Sequence, residues 1–204
     1  MQNLYLYIAT YLIAAIPFGY LLAKYVGGVN ITEEGSGNIG ATNVLRVLKS
    51  RDPALAKKLG ALTLFLDAIK GAVMVGVGYL LGAEPSVLWT IGVLAVLGHC
   101  YSVFLGFEGG KGVATGVGVV AALAWPLALI ALVVWIGVAK GLKISSLAAI
   151  IAILVMMAAA YLLYPNGLPG IGSHVPLWII AVVILYKHLP NILRLIRGEE
   201  KALA

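Results

Sequence analysis

Apolar stretches long enough to cross a lipid bilayer recur along almost the whole sequence, and they restrict the chain to one class of fold. Of the 204 residues, 62% are hydrophobic and 11% are charged, and the mean hydropathy is +1.03. A water-soluble domain of this length needs more charge to cover its surface. Inside a membrane every backbone polar group must be satisfied within the chain, and no alternating strand pattern is present. We therefore predict an all-α integral membrane protein forming a single domain over residues 1–204.

The N-terminal apolar stretch is predicted to remain as the first transmembrane helix. Residues 5–23 lack the basic leading region and the small-residue cleavage site of a secretory signal peptide. The chain has one cysteine, Cys100, so it cannot form an internal disulfide and shows no sign of an oxidising compartment.

Six apolar segments are separated by polar residues or turns, and the fourth decides the number of spans. About 20 helical residues cross the hydrocarbon core of a membrane. The predicted segments are 4–23, 60–81, 87–105, 113–139, 144–164 and 175–186. Residues 113–139 form either one long tilted helix, giving six spans, or two short helices that meet at Trp125-Pro126, giving seven. Proline is tolerated in the first turn of a helix and disrupts its interior, which favours the break.

The distribution of basic residues also favours seven spans. Seven spans place all of the 14 lysines and arginines except Lys70 on one side of the membrane. The opposite side then carries Glu84 as its one charged side chain. By the positive-inside rule, we predict an outer N-terminus, a cytoplasmic C-terminus and polar glycine-rich loops on the cytoplasmic face.

The first segment with chemical character is 35–43, which is followed by Arg46. Its glycines let the backbone approach a ligand closely, and its Ser, Asn and Thr side chains offer hydrogen-bond donors. Arg46 can hold an oxyanion through two parallel hydrogen bonds. The alternative is an ordinary polar loop that caps the next helix, but such loops rarely combine this glycine density with two asparagines.

The second segment is the glycine-rich loop 106–112, which leads directly into a helix. The free N–H groups at a helix N-terminus favour an anion, and Lys111 adds a full positive charge. The loop does not fit the P-loop of nucleotide-binding proteins, because Gly112 stands where Ser or Thr is required. Helix packing through Gly112 and Gly116 is the alternative, and it is compatible with binding because both need small residues.

The third segment ends the last span, where His188, Asn191 and Arg194 are spaced three residues apart. They share one face if a helical turn begins there, and a basic boundary at the lipid headgroups is the alternative.

Asp67 and Lys70 lie three residues apart inside the second span. Ionisable residues are costly in a membrane, so these two form either a functional site or, as we favour, an ion pair that holds the bundle.

Three anion-binding segments on one face predict a protein that handles a phosphorylated substrate at the membrane surface. The same segments resemble the three motifs of bacterial acyl-phosphate:glycerol-3-phosphate acyltransferases, the PlsY family. The resemblance extends over the chain in order, length and number of spans, and it rests on 35–43 with Arg46, on 66–71, on 98–115 and on 188–194. Two positions depart from the family pattern: Ser102 replaces an expected proline, and Glu108 replaces a lysine.

The resemblance implies transfer of a fatty acyl group from acyl phosphate to the 1-hydroxyl of sn-glycerol 3-phosphate. The products are lysophosphatidic acid and inorganic phosphate, in phospholipid synthesis. It implies neither a cofactor nor a metal. The implied partners are the two substrates, the lipid bilayer and the enzyme that makes acyl phosphate from acyl-ACP, with no nucleic acid. The implied location is the bacterial cytoplasmic (inner) membrane, with several spans and the active site facing the cytoplasm.

The resemblance also implies which residues form the site. Catalytic roles are expected of Ser36, Arg46, Lys111, His188 and Asn191. Substrate or phosphate binding is expected of Gly37, Asn38, Gly40, Thr42, Asn43, Gly109, Gly110, Gly112, Thr115 and Arg194. Ser36, Asn38, Arg46 and Lys111 are assigned to the two phosphates. His188 and Asn191 are expected to orient the glycerol or to polarise the carbonyl.

An acyl phosphate is already activated, so no covalent enzyme intermediate is required. The enzyme mainly has to orient two anions that repel one another, and positioning alone can supply up to about 7–11 kcal/mol. The lack of a dedicated base in the family favours the leaving phosphate as the acceptor of the hydroxyl proton, with His188 as the competing base.

An organophosphate transporter is the main alternative. A transporter needs a polar path across the bilayer, but the spans carry almost no charge beyond Asp67 and Lys70. We detect no convincing internal repeat, which also weakens this alternative.

Overall fold

The computed structural model describes residues 2–200 and residue 202. Within these residues the regular structure is helical, which confirms the predicted all-α class. The helices are α1 (Gln2–Ala15), α2 (Phe18–Tyr25), α3 (Ala41–Lys49), α4 (Pro53–Leu80), α5 (Pro85–Cys100), α6 (Val113–Leu123), α7 (Trp125–Leu142), α8 (Ser145–Leu163), α9 (Val175–Lys187) and α10 (Leu189–Ile196). A 3-10 turn, Val103–Leu105, follows α5.

Four helical segments among the described residues are long and apolar enough to cross a membrane. They are Asn3–Tyr25, which joins α1 and α2, and the helices α4, α7 and α8. The helices α9 and α10 pass the same test only together, as a span bent by 55°. The apolar helices α5 and α6 have 16 and 11 residues, short of the roughly 20 that a straight crossing needs. The total of seven spans and their orientation therefore remain predictions.

The long apolar stretch 113–139 is two helices rather than one. α6 ends at Leu123 and α7 begins at Trp125, with Pro126 in its first turn. The backbone N–H groups of a first turn have no partner within the helix, so proline loses nothing there. The break lies where the sequence predicted it.

Two helix bounds differ from the predictions. α4 begins at Pro53, well before residue 60, because the Asp52 carboxylate caps it by accepting hydrogen bonds from the backbone N–H groups of Ala54 (2.9 Å) and Leu55 (3.0 Å). α5 ends at Cys100 rather than at residue 105, because the chain leaves the helical conformation at Tyr101.

The first span is broken at Pro17, between α1 and α2, although the sequence analysis treated it as continuous. A proline inside a helix removes a backbone hydrogen bond and frees carbonyl groups. The buried Ser102 hydroxyl donates to the carbonyl of Ala15 at 2.6 Å. The ammonium group of Lys70 donates to the carbonyl of Ile16 at 3.0 Å. Ser102, which departs from the family pattern, therefore gives the carbonyl of Ala15 a hydrogen-bond partner that lipid cannot provide.

A buried polar cluster extends from this break. Lys70 Nζ lies 3.0 Å from Asp67 Oδ1, and His99 Nδ1 lies 3.5 Å from the same oxygen. The Thr115 hydroxyl donates to the backbone carbonyl of Asp67 at 2.8 Å. The cluster links α4 to α5, to α6 and to the break in the first span. The favoured interpretation of the intramembrane charges as an ion pair within the bundle therefore agrees with the structure.

Glycines allow α6 to lie directly against α4. A Cβ atom on Gly118 of α6 would collide with the backbone carbonyl of Ala68 in α4, and one on Gly71 would lie 2.9 Å from Val119 Cγ2. A backbone carbonyl inside a helix cannot move aside as a flexible side chain can, so these glycines fix the distance between the two helices.

We predict that Gly118→Ala destabilises the protein, because the new methyl group separates α4 from α6. Overpacking of this kind costs about 1–3 kcal/mol, which thermal unfolding in detergent will show as a lowered Tm. Gly137→Ala in α7 is the matched control, because a Cβ at Gly137 meets no atom within 4 Å. Equal melting temperatures for the two variants would contradict the proposed contact.

Candidate active site

One cavity of about 610 Å³ brings the three predicted segments together. All of the predicted catalytic residues line it. The predicted site residues at its wall are Ser36, Asn38, Gly40, Thr42, Asn43 and Arg46 from the first segment, Lys111 and Gly112 from the second, and His188, Asn191 and Arg194 from the third. The convergence joins parts of the chain that are far apart in the sequence.

Four of the predicted binding residues lie away from this cavity. Gly37 and Gly109 line a separate, smaller pocket. The backbone N–H of Gly110 donates to the carbonyl of His99 at 3.1 Å, and a Cβ atom at Gly110 would collide with the His99 ring. The Thr115 hydroxyl is used in the contact between α6 and α4. These four residues shape the surrounding backbone instead of lining the cavity.

The amide of Asn43 holds the first loop in place. Its Oδ1 accepts a hydrogen bond from the backbone N–H of Ser36 at 2.8 Å. Its Nδ2 donates to the carbonyls of Ile31 (3.0 Å) and Glu34 (3.1 Å). Asn38 closes a neighbouring turn, because its Oδ1 accepts a hydrogen bond from the backbone N–H of Gly40 at 2.9 Å. The buried Asn43 therefore fixes the conformation of the loop that carries Ser36.

The second loop enters α6 through Gly112, whose φ of 83° is in the left-handed region that glycine adopts without strain. A side chain there would also lie 2.8 Å from Cys100 Sγ. This turn places Lys111 at the cavity wall. Burial lowers the pKa of Lys111 to about 8; the negative charge of Glu200 opposes that shift, and the positive charges of Arg194 and Arg46 add to it.

The third segment lies at the bend between α9 and α10. His188 is 2% exposed, and its Nδ1 lies 2.7 Å from the carbonyl oxygen of Ile184. A carbonyl only accepts hydrogen bonds, so Nδ1 carries the hydrogen, and in the neutral ring Nε2 keeps its lone pair. Neutral His188 therefore offers an acceptor at Nε2, which suits a substrate hydroxyl and does not suit a developing oxyanion.

Glu200 is a member of the site that the sequence analysis missed. Its Oε1 accepts hydrogen bonds from Ser146 Oγ and Asn191 Nδ2, both at 2.6 Å. Its Oε2 accepts from Arg194 Nε at 2.7 Å. Three donors from two helices thus surround one carboxylate, so this end of the cavity is arranged to hold an oxyanion.

These contacts also control the charge of Glu200. Partial burial favours the neutral acid, but the hydrogen bonds from Ser146, Asn191 and Arg194, together with the charge of Arg194, outweigh it and lower the pKa of Glu200. The carboxylate is therefore ionised at neutral pH, and the negative charge stays beside the cavity cations.

The first turn of α8 supplies two further hydroxyls that were missed. Ser145 and Ser146 line the cavity, and Ser145 Oγ lies 3.4 Å from Thr42 Oγ1. Two serines at the start of an apolar helix, on the face that carries the three motifs, were a usable signal in the sequence.

The rest of the cavity wall is mainly apolar, and Asp67 and His99 of the buried polar cluster also line it. The apolar wall consists of small and branched side chains from α4, α6, α7, α8 and α9, among them Ala68, Gly116, Val117, Ala131, Leu132, Trp135, Ala149, Ala152, Ile153, Met156, Ile180 and Ile184. Leu132 is 45% exposed on α7. The cavity therefore has a polar end and an apolar limb, and it suits a molecule with an anionic head and a hydrocarbon tail.

Comparison with known sequences identifies relatives along the full chain. A family model described as glycerol-3-phosphate acyltransferase matches residues 4–198. A glycerol-3-phosphate acyltransferase of Aliarcobacter butzleri is 55% identical over 98% of this chain and 95% of its own length. One from Campylobacter concisus is 54% identical, over 98% of each chain.

Solved structures share the fold. The crystal structure of PlsY, an integral membrane glycerol 3-phosphate acyltransferase, in its glycerol 3-phosphate form is 38% identical with a TM-score of 0.87, and the match covers 100% of this chain and 96% of that one. Its lysophosphatidic acid form gives 37% identity and a TM-score of 0.85, over 99% and 95% of the two chains. With this agreement in sequence, fold and length, the chain belongs to the glycerol-3-phosphate acyltransferase family of integral membrane proteins.

Proposed function

We propose that this protein transfers a fatty acyl group from acyl phosphate to the 1-hydroxyl of sn-glycerol 3-phosphate, giving lysophosphatidic acid and inorganic phosphate. The observation that carries the proposal is the joint cavity, whose polar end and apolar limb match the two halves of an acyl phosphate. The family name and the two solved forms of the relative support glycerol 3-phosphate as the acceptor. We further propose that the whole chain acts as one domain.

The polar end suits two phosphates that repel each other. Arg46, Lys111 and Arg194 line it together with the hydroxyls of Ser36 and Ser146. Two unit charges 4 Å apart interact by about 4 kcal/mol at an effective dielectric constant of 20, so bringing two phosphates together needs cations fixed beforehand. The half-buried Lys111 and the guanidinium groups supply them.

The reaction requires a single displacement. The oxygen of the 1-hydroxyl attacks the acyl carbonyl carbon, the bond between that carbon and the bridging phosphate oxygen breaks, and phosphate leaves with the electron pair. We assign the proton of the 1-hydroxyl to the leaving phosphate, and we assign His188 Nε2 to accept a hydrogen bond from the neighbouring 2-hydroxyl, which orients the glycerol.

We also propose the cytoplasmic face of a bacterial inner membrane for the site. The basic loops that carry the three segments favour that side by the positive-inside rule. The acyl phosphate would come from an enzyme that forms it from acyl-ACP, and the exposed Leu132 at the cavity wall gives its tail a path from the lipid.

Purified protein given palmitoyl phosphate and glycerol 3-phosphate tests the reaction. We expect phosphate release only with both substrates, lysophosphatidic acid in the products and no reaction when acyl-CoA replaces acyl phosphate.

Arg46→Lys should lower kcat/KM at least about tenfold, because lysine keeps the charge but loses the planar pair of donors. Arg51→Lys is the control, because Arg51 is exposed and pairs with Glu34 outside the cavity.

Folded protein that releases no phosphate in detergent or in lipid would contradict the proposed reaction. Uptake of labelled glycerol 3-phosphate into proteoliposomes without product would then favour the organophosphate transporter.

Lys111 should give the activity an alkaline limit. Its pKa of about 8 leaves the amine charged at neutral pH and uncharged above that value. We therefore expect kcat/KM for glycerol 3-phosphate to fall by about tenfold per pH unit above pH 8, after subtraction of acyl phosphate hydrolysis. Lys111→Arg should remove the fall, because arginine stays charged, whereas Lys49→Arg on the exposed surface should keep it. A wild-type profile that is flat into the alkaline range would contradict this role of Lys111.

A further inference from the structure

The apolar limb of the cavity follows one face of α8. Ser146, Ala149, Ile153 and Met156 line it at helical spacing, starting from the polar end. The ten residue steps from Ser146 to Met156 correspond to about 15 Å along the helix axis. On α9 the lining extends back from His188 over a similar depth.

The limb ends in a closely packed core. One turn beyond Met156, Ala160 is fully buried and does not line the cavity. On α9 the last lining residue is Ile180, and Leu177 beyond it is also fully buried. Ala160 and Leu177 belong to the same hydrophobic core. Met156 and Ile180 therefore form the floor of the limb.

The walls and the floor differ in the size of their side chains. Gly116, Ala149 and Ala152 leave space along the walls, whereas Met156 is long and apolar. Below Met156 the chain continues with small residues, Ala159 and Ala160, whereas below Ile180 lies the bulky Leu177. A smaller side chain in place of Met156 therefore lengthens the limb. A smaller side chain in place of Ile180 leaves the limb closed by Leu177.

We propose that Met156 determines the length of the acyl chain that the enzyme accepts, by closing the far end of the limb. The inference rests on the proposed function, because it takes the limb as the site of the acyl tail. An acyl chain that reaches the floor buries all of its methylenes, and a longer chain must displace the methionine side chain or leave its end in lipid. A flexible, unbranched methionine fills such an end without a fixed shape.

The test compares kcat/KM for lauroyl, myristoyl, palmitoyl and stearoyl phosphates. Met156→Ala should shift the preference towards longer chains, by about tenfold for each pair of added methylenes. Met156→Phe should shift it towards shorter chains. Met157→Ala is the control, because Met157 has the same 6% exposure on the same helix but does not line the cavity.

Opposite shifts in the two Met156 variants, with an unchanged profile in Met157→Ala, support the inference. An active Met156→Ala enzyme with the wild-type profile would overturn it, as would equal shifts in Met156→Ala and Met157→Ala. Wild-type protein that transfers no acyl group from any of the four donors would contradict the proposed function itself, so the two failures are distinguishable.

Discussion

The buried ion pair between Asp67 and Lys70 supports most of the architecture around the site. Lys70 also donates a hydrogen bond to the carbonyl of Ile16, at the proline break in the first span. The backbone carbonyl of Asp67 accepts a hydrogen bond from Thr115 in the first turn of α6, and the Asp67 carboxylate faces His99, whose ring lies against the glycine-rich loop. Removing one partner of a buried pair leaves an uncompensated charge, so the pair constrains the helices that carry the loop.

The polar end of the cavity depends on a balance of charge. Cations and hydroxyls from the three segments and the start of α8 meet there, and Glu200 adds a carboxylate that holds Asn191 and Arg194 in hydrogen bonds. The carboxylate of Glu200 is thus an anion held by Asn191 and Arg194, which are donors that the proposed mechanism assigns to the substrates. Glu200 holds these donors in hydrogen bonds, and we propose that the positive charge of Lys111 at the same cavity wall faces a phosphate.

The sequence predicted features that depend on local chemistry. The helix break at Trp125-Pro126 followed from the conformational limits of proline, and the convergence of the three segments followed from the distribution of charge. The break at Pro17 and the cap at Asp52 had equally local signals, but the continuous apolar character of the first stretch and the length of the polar segment concealed them. Glu200 could not be predicted, because its partners come from two helices and only the tertiary structure brings them to the tail.

The central claim is that one cavity holds both phosphates at the same time, and a binding measurement tests it directly. Titration calorimetry would give the Kd of glycerol 3-phosphate at rising concentrations of 2-oxoheptadecylphosphonate, the analogue of palmitoyl phosphate in which a methylene replaces the bridging oxygen and no transfer occurs. We predict that the Kd rises to a plateau, because a ternary complex forms despite the repulsion between the two anions. A Kd that rises in proportion to the phosphonate without limit would show that the two ligands exclude each other, and would contradict the account.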